Sequence, residues 1–283
     1  MVTLSSTSEV LTRLAAGSRI VAEAYTVHGP ILRALETAAR RGAHVAVELE
    51  AKPFGNPKLA KENARLAHEL RRAGADARLQ DRVHAKEIAI DGTLYLDEKN
   101  WHAGDVVLRD DDAGDARVAA TKSDALAREA QLLAGARARD GVIVESESFG
   151  SGNAVYSQLK ELGRAGASPR LLVSERVLHG DRRERRVLEA LMHDGVRIRV
   201  CEDSSKFAAA GDRVWIGSAN ASYASGKWDM SDWGLCTANA EIVRTVCARL
   251  EVEWKTAREF ETGAHGSVGT HRSLGGYAVA GRG

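Results

Sequence analysis

The feature that most constrains what this chain can fold into is an internal duplication. Residues 19–49 read as a strand (19–25), a helix opened by Pro30 that carries Ile31, Leu32, Leu35 and Ala38 on one face, and a second strand (44–49). Residues 141–174 repeat that order, with a strand (141–145), a helix (155–163) and a strand (170–174). Each half then continues with a helix that ends at a glycine, 58–73 before Gly74 and 182–193 before Gly195, and with another strand. Gly74 and Gly195 are 121 residues apart and Lys86 and Lys206 are 120 apart, so two unrelated landmarks give nearly one offset. Beyond the lysines each half has a strand pair, an asparagine, an edge-like strand (105–108 and 232–236) and a helix (122–133 and 241–258).

Strands alternating with helices predict an α/β fold, with a mixed or mainly parallel sheet flanked by helices in each half and the two halves packed as a pseudo-dimer. The expected units are 1–135 and 136–260, followed by a tail, 261–283, whose last 22 residues hold seven glycines and no hydrophobic period and are expected to be flexible. The Asp-rich run 110–115 is expected to be a solvated loop.

Chemistry concentrates in two in-register runs. The first is HAKEIAIDGTLYLDEKN, with His84, Lys86, Asp91 and Asn100; the second is SSKFAAAGDRVWIGSAN, with Lys206, Gly217, Ser218 and Asn220. Together they resemble the HxK(x)4D and GSxN signature of the phospholipase D superfamily, over about 240 residues, and both place the asparagine 14 residues after the lysine. The departures are as informative. Ser204 stands where the second histidine belongs, Gly211 where the second aspartate belongs with Asp212 displaced by one, and Asp97-Glu98 replaces the Gly-Ser pair of the first half.

The resemblance implies two phospholipase D-like repeats sharing one metal-independent site with no cofactor. In that family one imidazole attacks phosphorus to form a phosphohistidine, and the second protonates the leaving oxygen and then activates water. Lysines and asparagines from both halves hold the non-bridging oxygens. By this likeness His84 is the nucleophile, Lys86, Asn100, Lys206 and Asn220 bind phosphate, and Asp232 on the opposite half orients His84. Asp105 would face Ser204, where there is no imidazole to orient. Ser204, Ser218 and Trp101 are expected to line the substrate site, with Ser218 more in character as a backbone cap than as a nucleophile. Trp101, Trp215, Trp228 and Trp233 crowd the motif ends, either as core or as a wall for an apolar or base-stacking substrate. The run Glu145-Ser146-Glu147-Ser148 is read as a loop with an anionic face and no metal-ligand spacing.

Three function classes are consistent with these residues: a phosphodiesterase or phosphatidyl or phosphoryl transferase acting through His84, a pseudoenzyme that binds a phosphate-bearing ligand without turnover, and a scaffold with a vestigial pocket. Retention of both lysines, both asparagines and Asp232 argues against the third. The motif reads only phosphate, so it leaves a phospholipid and a nucleic acid equally open. A net charge of +1, from 40 basic and 39 acidic residues, gives no electrostatic bias toward nucleic acid. Cys201, Cys236 and Cys247 are odd in number and show no CxxC pair, which suits core thiols in a reducing compartment. The N-terminal residues lack a basic start with an apolar run, and no stretch approaches the roughly 20 apolar residues of a membrane span. A cytoplasmic monomer with an internal pseudo-two-fold is the expectation.

Overall fold

The computed structural model describes residues 2–54, 56–112, 120–179, 182–203 and 205–261. Ser204, residues 113–115 of the Asp-rich run and the glycine-rich residues from 262 onward therefore lie outside the described residues. The first half runs β1 (Val2–Ser5), α1 (Thr7–Ala16), β2 (Arg19–Ala24), α2 (Gly29–Arg40), β3 (His44–Glu50), α3 (Pro57–Arg72), β4 (Asp76–Gln80), β5 (Lys86–Ile90), β6 (Thr93–Asp97) and β7 (Val107–Asp110). The second runs β8 (Ala120–Thr121), α4 (Lys122–Ala134), β9 (Ile143–Ser146), α5 (Ala154–Arg164), β10 (Arg170–Ser174), α6 (Arg176–His179), α7 (Arg182–His193), β11 (Arg197–Cys201), β12 (Phe207–Ala210), β13 (Arg213–Gly217), β14 (Ser231–Asp232), β15 (Gly234–Thr237), α8 (Ala240–Thr256) and β16 (Arg258–Glu259).

Among the described residues fourteen of these strands form two seven-stranded sheets, ordered β1-β7-β6-β5-β2-β3-β4 and β15-β13-β12-β9-β10-β11-β16, and β8 and β14 pair separately with each other. In each, three strands joined by helices run parallel (β2-β3-β4 and β9-β10-β11) and the hairpin that follows adds antiparallel strands beside the first of them. Six strands of each sheet thus repeat in order, while the seventh differs, β1 lying outside β7 in the first sheet and β16 outside β11 in the second; the expected mixed α/β sheets are present in both halves.

Local sequence explains where helices begin. Asn56 accepts the Leu59 N–H at 3.0 Å with Pro57 in the first turn, Thr121 and Asp124 form a reciprocal capping box, and Asn153 accepts the Tyr156 N–H at 3.0 Å. The apolar stripes of α1, α2 and α3 then bury Val10, Leu14, Ile31, Leu35, Leu66 and Leu70 against the outer face of the first sheet. On the outer face of the second sheet α4, α5 and α7 bury Leu126, Leu133, Leu159, Leu188 and Leu191.

The third core is the one that positions the site. Leu94, Leu96 and Leu108 from the first sheet meet Ile143, Leu172, Phe207, Val214 and Ile216 from the second, and Ile242, Val246 and Leu250 of α8 close the same cluster. The halves are therefore fused through their inner faces, as a pseudo-dimer with a continuous apolar interface.

Two expectations are corrected. Helix α4, placed by sequence at the end of the first unit, packs on α5, β13 and β15 of the second, so the structural second unit begins before residue 122 rather than at 136. Asp105 is not on a strand: β7 starts at Val107, and Asp105 closes a turn by accepting the His102 N–H at 2.6 Å. β7 is also covered by β1, so the edge expected there is filled. Of the cysteines, Cys201 is buried, whereas Cys236 and Cys247 are half-buried. No helix among the described residues is long and apolar enough to cross a membrane.

Because one apolar layer joins the halves, they should unfold together. Phe207→Ala, at a fully buried position in that layer, is expected to cost about 3–5 kcal/mol. Urea unfolding followed by tryptophan fluorescence and by far-ultraviolet circular dichroism should keep a single coincident transition at lower urea; separated transitions would show that the halves are independent.

Candidate active site

The site is built where the first half's β4–β5 connection meets the short strand β14 of the second. Main-chain hydrogen bonds tie them: the Ser231 N–H donates to Arg82 O at 2.7 Å, and the His84 N–H donates to Ser231 O at 3.1 Å. Arg82 adopts a left-handed backbone (φ 70°), which turns the chain into this contact. The crossing delivers His84 to the next residue of β14, and His84 Nδ1 lies 2.7 Å from Asp232 Oδ1. Asp232 is fully buried, and although burial raises a carboxyl's pKa, His84, Lys86 and Lys122 together hold it below the ordinary value. An ionised carboxylate only accepts, so the proton between them sits on His84 Nδ1, and Nε2 keeps its lone pair. Burial pushes the His84 pKa down, opposed by Asp232 and assisted by Lys86, so the neutral ring dominates at neutral pH.

Asp232 is itself oriented. Ser218 Oγ donates to Asp232 Oδ1 at 2.6 Å and accepts the Trp233 N–H at 3.0 Å. The glycine before it is required by packing: a Cβ on Gly217 would lie 2.5 Å from Trp215 Cζ2, and one on Gly234 of the neighbouring strand 2.5 Å from Trp215 Nε1. The Trp215 indole therefore lies flat across two glycines and fixes the strand that presents Ser218. The Gly-Ser pair of the second motif is a clamp for Asp232, and Ser218, expected to line the substrate site, instead points its hydroxyl at that carboxylate.

In the first half the corresponding clamp is absent. Glu98 stands in the register of Ser218; it accepts the Val106 N–H at 3.3 Å, and its carboxyl, pushed up to about 7 chiefly by burial, is further raised by Asp105. Two carboxyls facing one another cannot form the hydroxyl–carboxylate clamp, and Asp105 turns to His102. The expected contact between Asp105 and Ser204 involves a residue outside those described.

The residues expected to bind phosphate come from both halves. Lys86 and Lys206 are 2% and 3% exposed, beneath the floor of the cleft. Lys86 Nζ donates to its neighbour His84 O at 2.7 Å and lies 3.3 and 3.4 Å from Nε2 and Nδ1. Those nearly equal distances put the ammonium off the line of the Nε2 lone pair. Burial, then repulsion from Lys206, brings the Lys86 pKa down to about 7. Asn100 and Asn220 each keep a buried Oδ1 with no hydrogen-bond partner among the described residues.

Above them opens a cavity of about 690 Å³ whose lining includes His84, Asp232 and Asn220. Phe54 of the first half and Trp228 of the second meet edge to face across its mouth, with ring centroids 4.2 Å apart, and Tyr223 stands exposed beside them. Trp228 is thus a wall residue, whereas Trp215 and Trp233 are core. Trp101, expected at the substrate, is 4% exposed in the outer core of the first sheet, its backbone N–H bound to Asp97 Oδ2 at 2.7 Å.

Three residues escaped the sequence reading. Lys122, at the first turn of α4, reaches the cavity and donates to Ser222 Oγ at 2.7 Å; burial lowers its pKa. Tyr25 stands edge-on to His84, ring centroids 5.2 Å apart. Glu147, taken as part of an anionic loop, has Oε2 3.7 Å from Lys206 Nζ and pairs with Arg176. Only Glu147 left a signal in the sequence, since its distance from β9 matches that of Tyr25 from β2.

The fold has known counterparts. The chain superposes on phosphatidylserine synthase from Haemophilus influenzae Rd KW20 with a TM-score of 0.62, over 92% of this chain and 87% of the synthase, at 9% identity. It superposes on polyphosphate kinase from Porphyromonas gingivalis with a TM-score of 0.60, over 94% of this chain and 53% of the kinase, at 18% identity. Both are phospholipase D superfamily structures. This chain carries the phospholipase D-like fold twice. It spans about half of the kinase's length, and at these identities the likeness is one of fold. No family sequence model and no curated protein sequence matches the chain.

Within this fold the His84–Asp232 pair has a measurable signature. Because Asp232 raises the His84 pKa against the lowering effect of burial, Asp232→Asn should move the His84 titration further below 6.5 in histidine-detected NMR. An unchanged or higher value would mean that the pair does not act on the ring.

Proposed function

We propose that the protein cleaves or transfers at a phosphodiester, with His84 Nε2 as the nucleophile and a covalent phosphohistidine as intermediate. The observation that carries this reading is the crossed 2.7 Å contact between His84 Nδ1 and buried Asp232. It leaves Nε2 unprotonated and supports the positive charge that develops on the ring as the P–N bond forms. Lys86 and Lys206 supply buried positive charge for the non-bridging oxygens, where low dielectric makes it most effective, and the side-chain amides of Asn100 and Asn220 can donate there. The aromatic mouth of Phe54, Trp228 and Tyr223 suits the apolar or base-bearing substituent of a diester. The activity class is the general one of the fold; phospholipid and nucleic acid esters remain its two candidate substrates, and binding of a phosphate-bearing ligand without turnover is the competing reading.

Mixing the protein with bis(p-nitrophenyl) phosphate should release a burst of nitrophenolate equal to the protein, and intact-protein mass spectrometry should find one acid-labile adduct. His84→Ala should abolish both. No burst, no adduct and no difference from His84→Ala would favour ligand binding without turnover.

With bis(p-nitrophenyl) phosphate, whose leaving group needs no acid, the pH profile follows from two groups. His84 must be neutral to attack, so kcat/KM rises with pH until its lowered pKa, below 6.5, is passed. Lys86 must be charged to bind phosphate, and with its pKa at about 7 that charge is lost as pH rises further. The profile of kcat/KM should therefore fall above about pH 7. In the bound complex the phosphate anion favours charged Lys86, so the falling limb of kcat should lie at higher pH. Coincident falling limbs would remove Lys86 from phosphate binding.

A further inference from the structure

We propose that Glu147 is the acid and base partner of His84, filling the role that the family assigns to a second imidazole; this rests on the phosphoryl chemistry proposed above. The placement follows from strand register. In the first half Ala24 of β2 lies opposite Lys86, so Tyr25 is the next residue off the strand, and its ring stands beside His84. In the second half Glu145 of β9 lies opposite Phe207, which sets Ser146 beside Lys206 and makes Glu147 the next residue. Glu147 is therefore the pseudo-symmetric mate of Tyr25, the residue whose ring stands beside His84. Its main chain is pinned there: Ser146 Oγ accepts the Ala221 N–H at 2.9 Å and donates to Ser148 O at 2.8 Å. Ala221 adjoins Asn220, so the same contacts hold the second motif.

Its surroundings suit a group that cycles between acid and base. Burial alone would raise the Glu147 pKa, but Lys206, Arg176, Lys86 and His84 together hold it below the ordinary value, and Tyr25 also senses its charge. When an anionic phosphate takes over Lys206 and Lys86, the carboxylate loses partners and faces a like charge, which favours its protonation. In the first step the His84 Nε2 lone pair forms a bond to phosphorus, the P–O bond to the leaving group breaks, and the Glu147 proton goes to the departing oxygen. In the second step a water oxygen bonds to phosphorus, its proton goes to the Glu147 carboxylate, and the P–N bond breaks with its electron pair returning to Nε2.

Glu147→Gln keeps the shape and removes the proton chemistry. With bis(p-nitrophenyl) phosphate the leaving group needs no acid, so the burst should stay within a few-fold of wild type while the adduct's decay slows by about 10²–10⁴. Replacing nitrophenolate by an alkoxide should slow the first step of Glu147→Gln relative to wild type by a similar factor. Glu147→Asp, a shorter carboxylate, should recover part of both rates, separating lost chemistry from lost folding. An adduct that decays equally fast in wild type and Glu147→Gln overturns the role of Glu147 and leaves the phosphohistidine standing. Absence of an adduct in wild type overturns both.

Discussion

Everything at this site depends on one crossing between the two halves. The main chain at 82–84 is hydrogen-bonded to Ser231, and that register brings His84 Nδ1 to buried Asp232. The contact spans 148 residues of sequence, so neither half can form it alone. It exists because the inner faces of two sheets bury one apolar layer and hold the strands in place. The buried Asp232 carboxylate would be costly if it were left unpaired, and the Ser218 hydroxyl limits that cost by adding a second donor beside the His84 ring N–H. Packing in the third core thus sets the geometry, and the geometry sets which imidazole nitrogen is free.

The duplication is symmetric in fold and asymmetric in chemistry. Ser218 holds Asp232 in the second half, while Glu98 in the same register holds a main-chain N–H and opposes Asp105. Sequence puts Ser204 where the second imidazole would stand, and the carboxylate that would have oriented such a ring has turned to its own loop. The His84–Asp232 pair is kept, while the other half carries a serine in its motif and its aspartate binds its own loop. Lys86 adjoins the surviving pair, and Asn220 and Lys122 share its cavity.

Much of this was legible in the sequence, because the signals were periodic or repeated. The nearly equal offsets of Gly74 with Gly195 and Lys86 with Lys206 mark the repeat, and the two-residue spacing of His84 and Lys86 at a strand start puts both into one region. The crossed partner of His84 could be expected from Asp232 by family likeness. What was not legible depends on tertiary contacts with no local pattern. Helix α4 is amphipathic in either half, and only packing assigns it to the second sheet. Ser218 and Trp101 look like site residues by position, yet one is a clamp and the other is core. Lys122 reaches the cavity from a helix start outside any motif.

The central claim is that the crossed pair frees Nε2 of His84 for attack on phosphorus. It is tested most directly by labelling the protein with ¹⁵N-histidine, trapping the adduct formed with an activated diester and measuring ³¹P–¹⁵N coupling in alkali. Coupling to Nε2 of a single histidine, absent in His84→Ala, is the predicted result; phosphorus on Nδ1, on another residue or on no residue would contradict it.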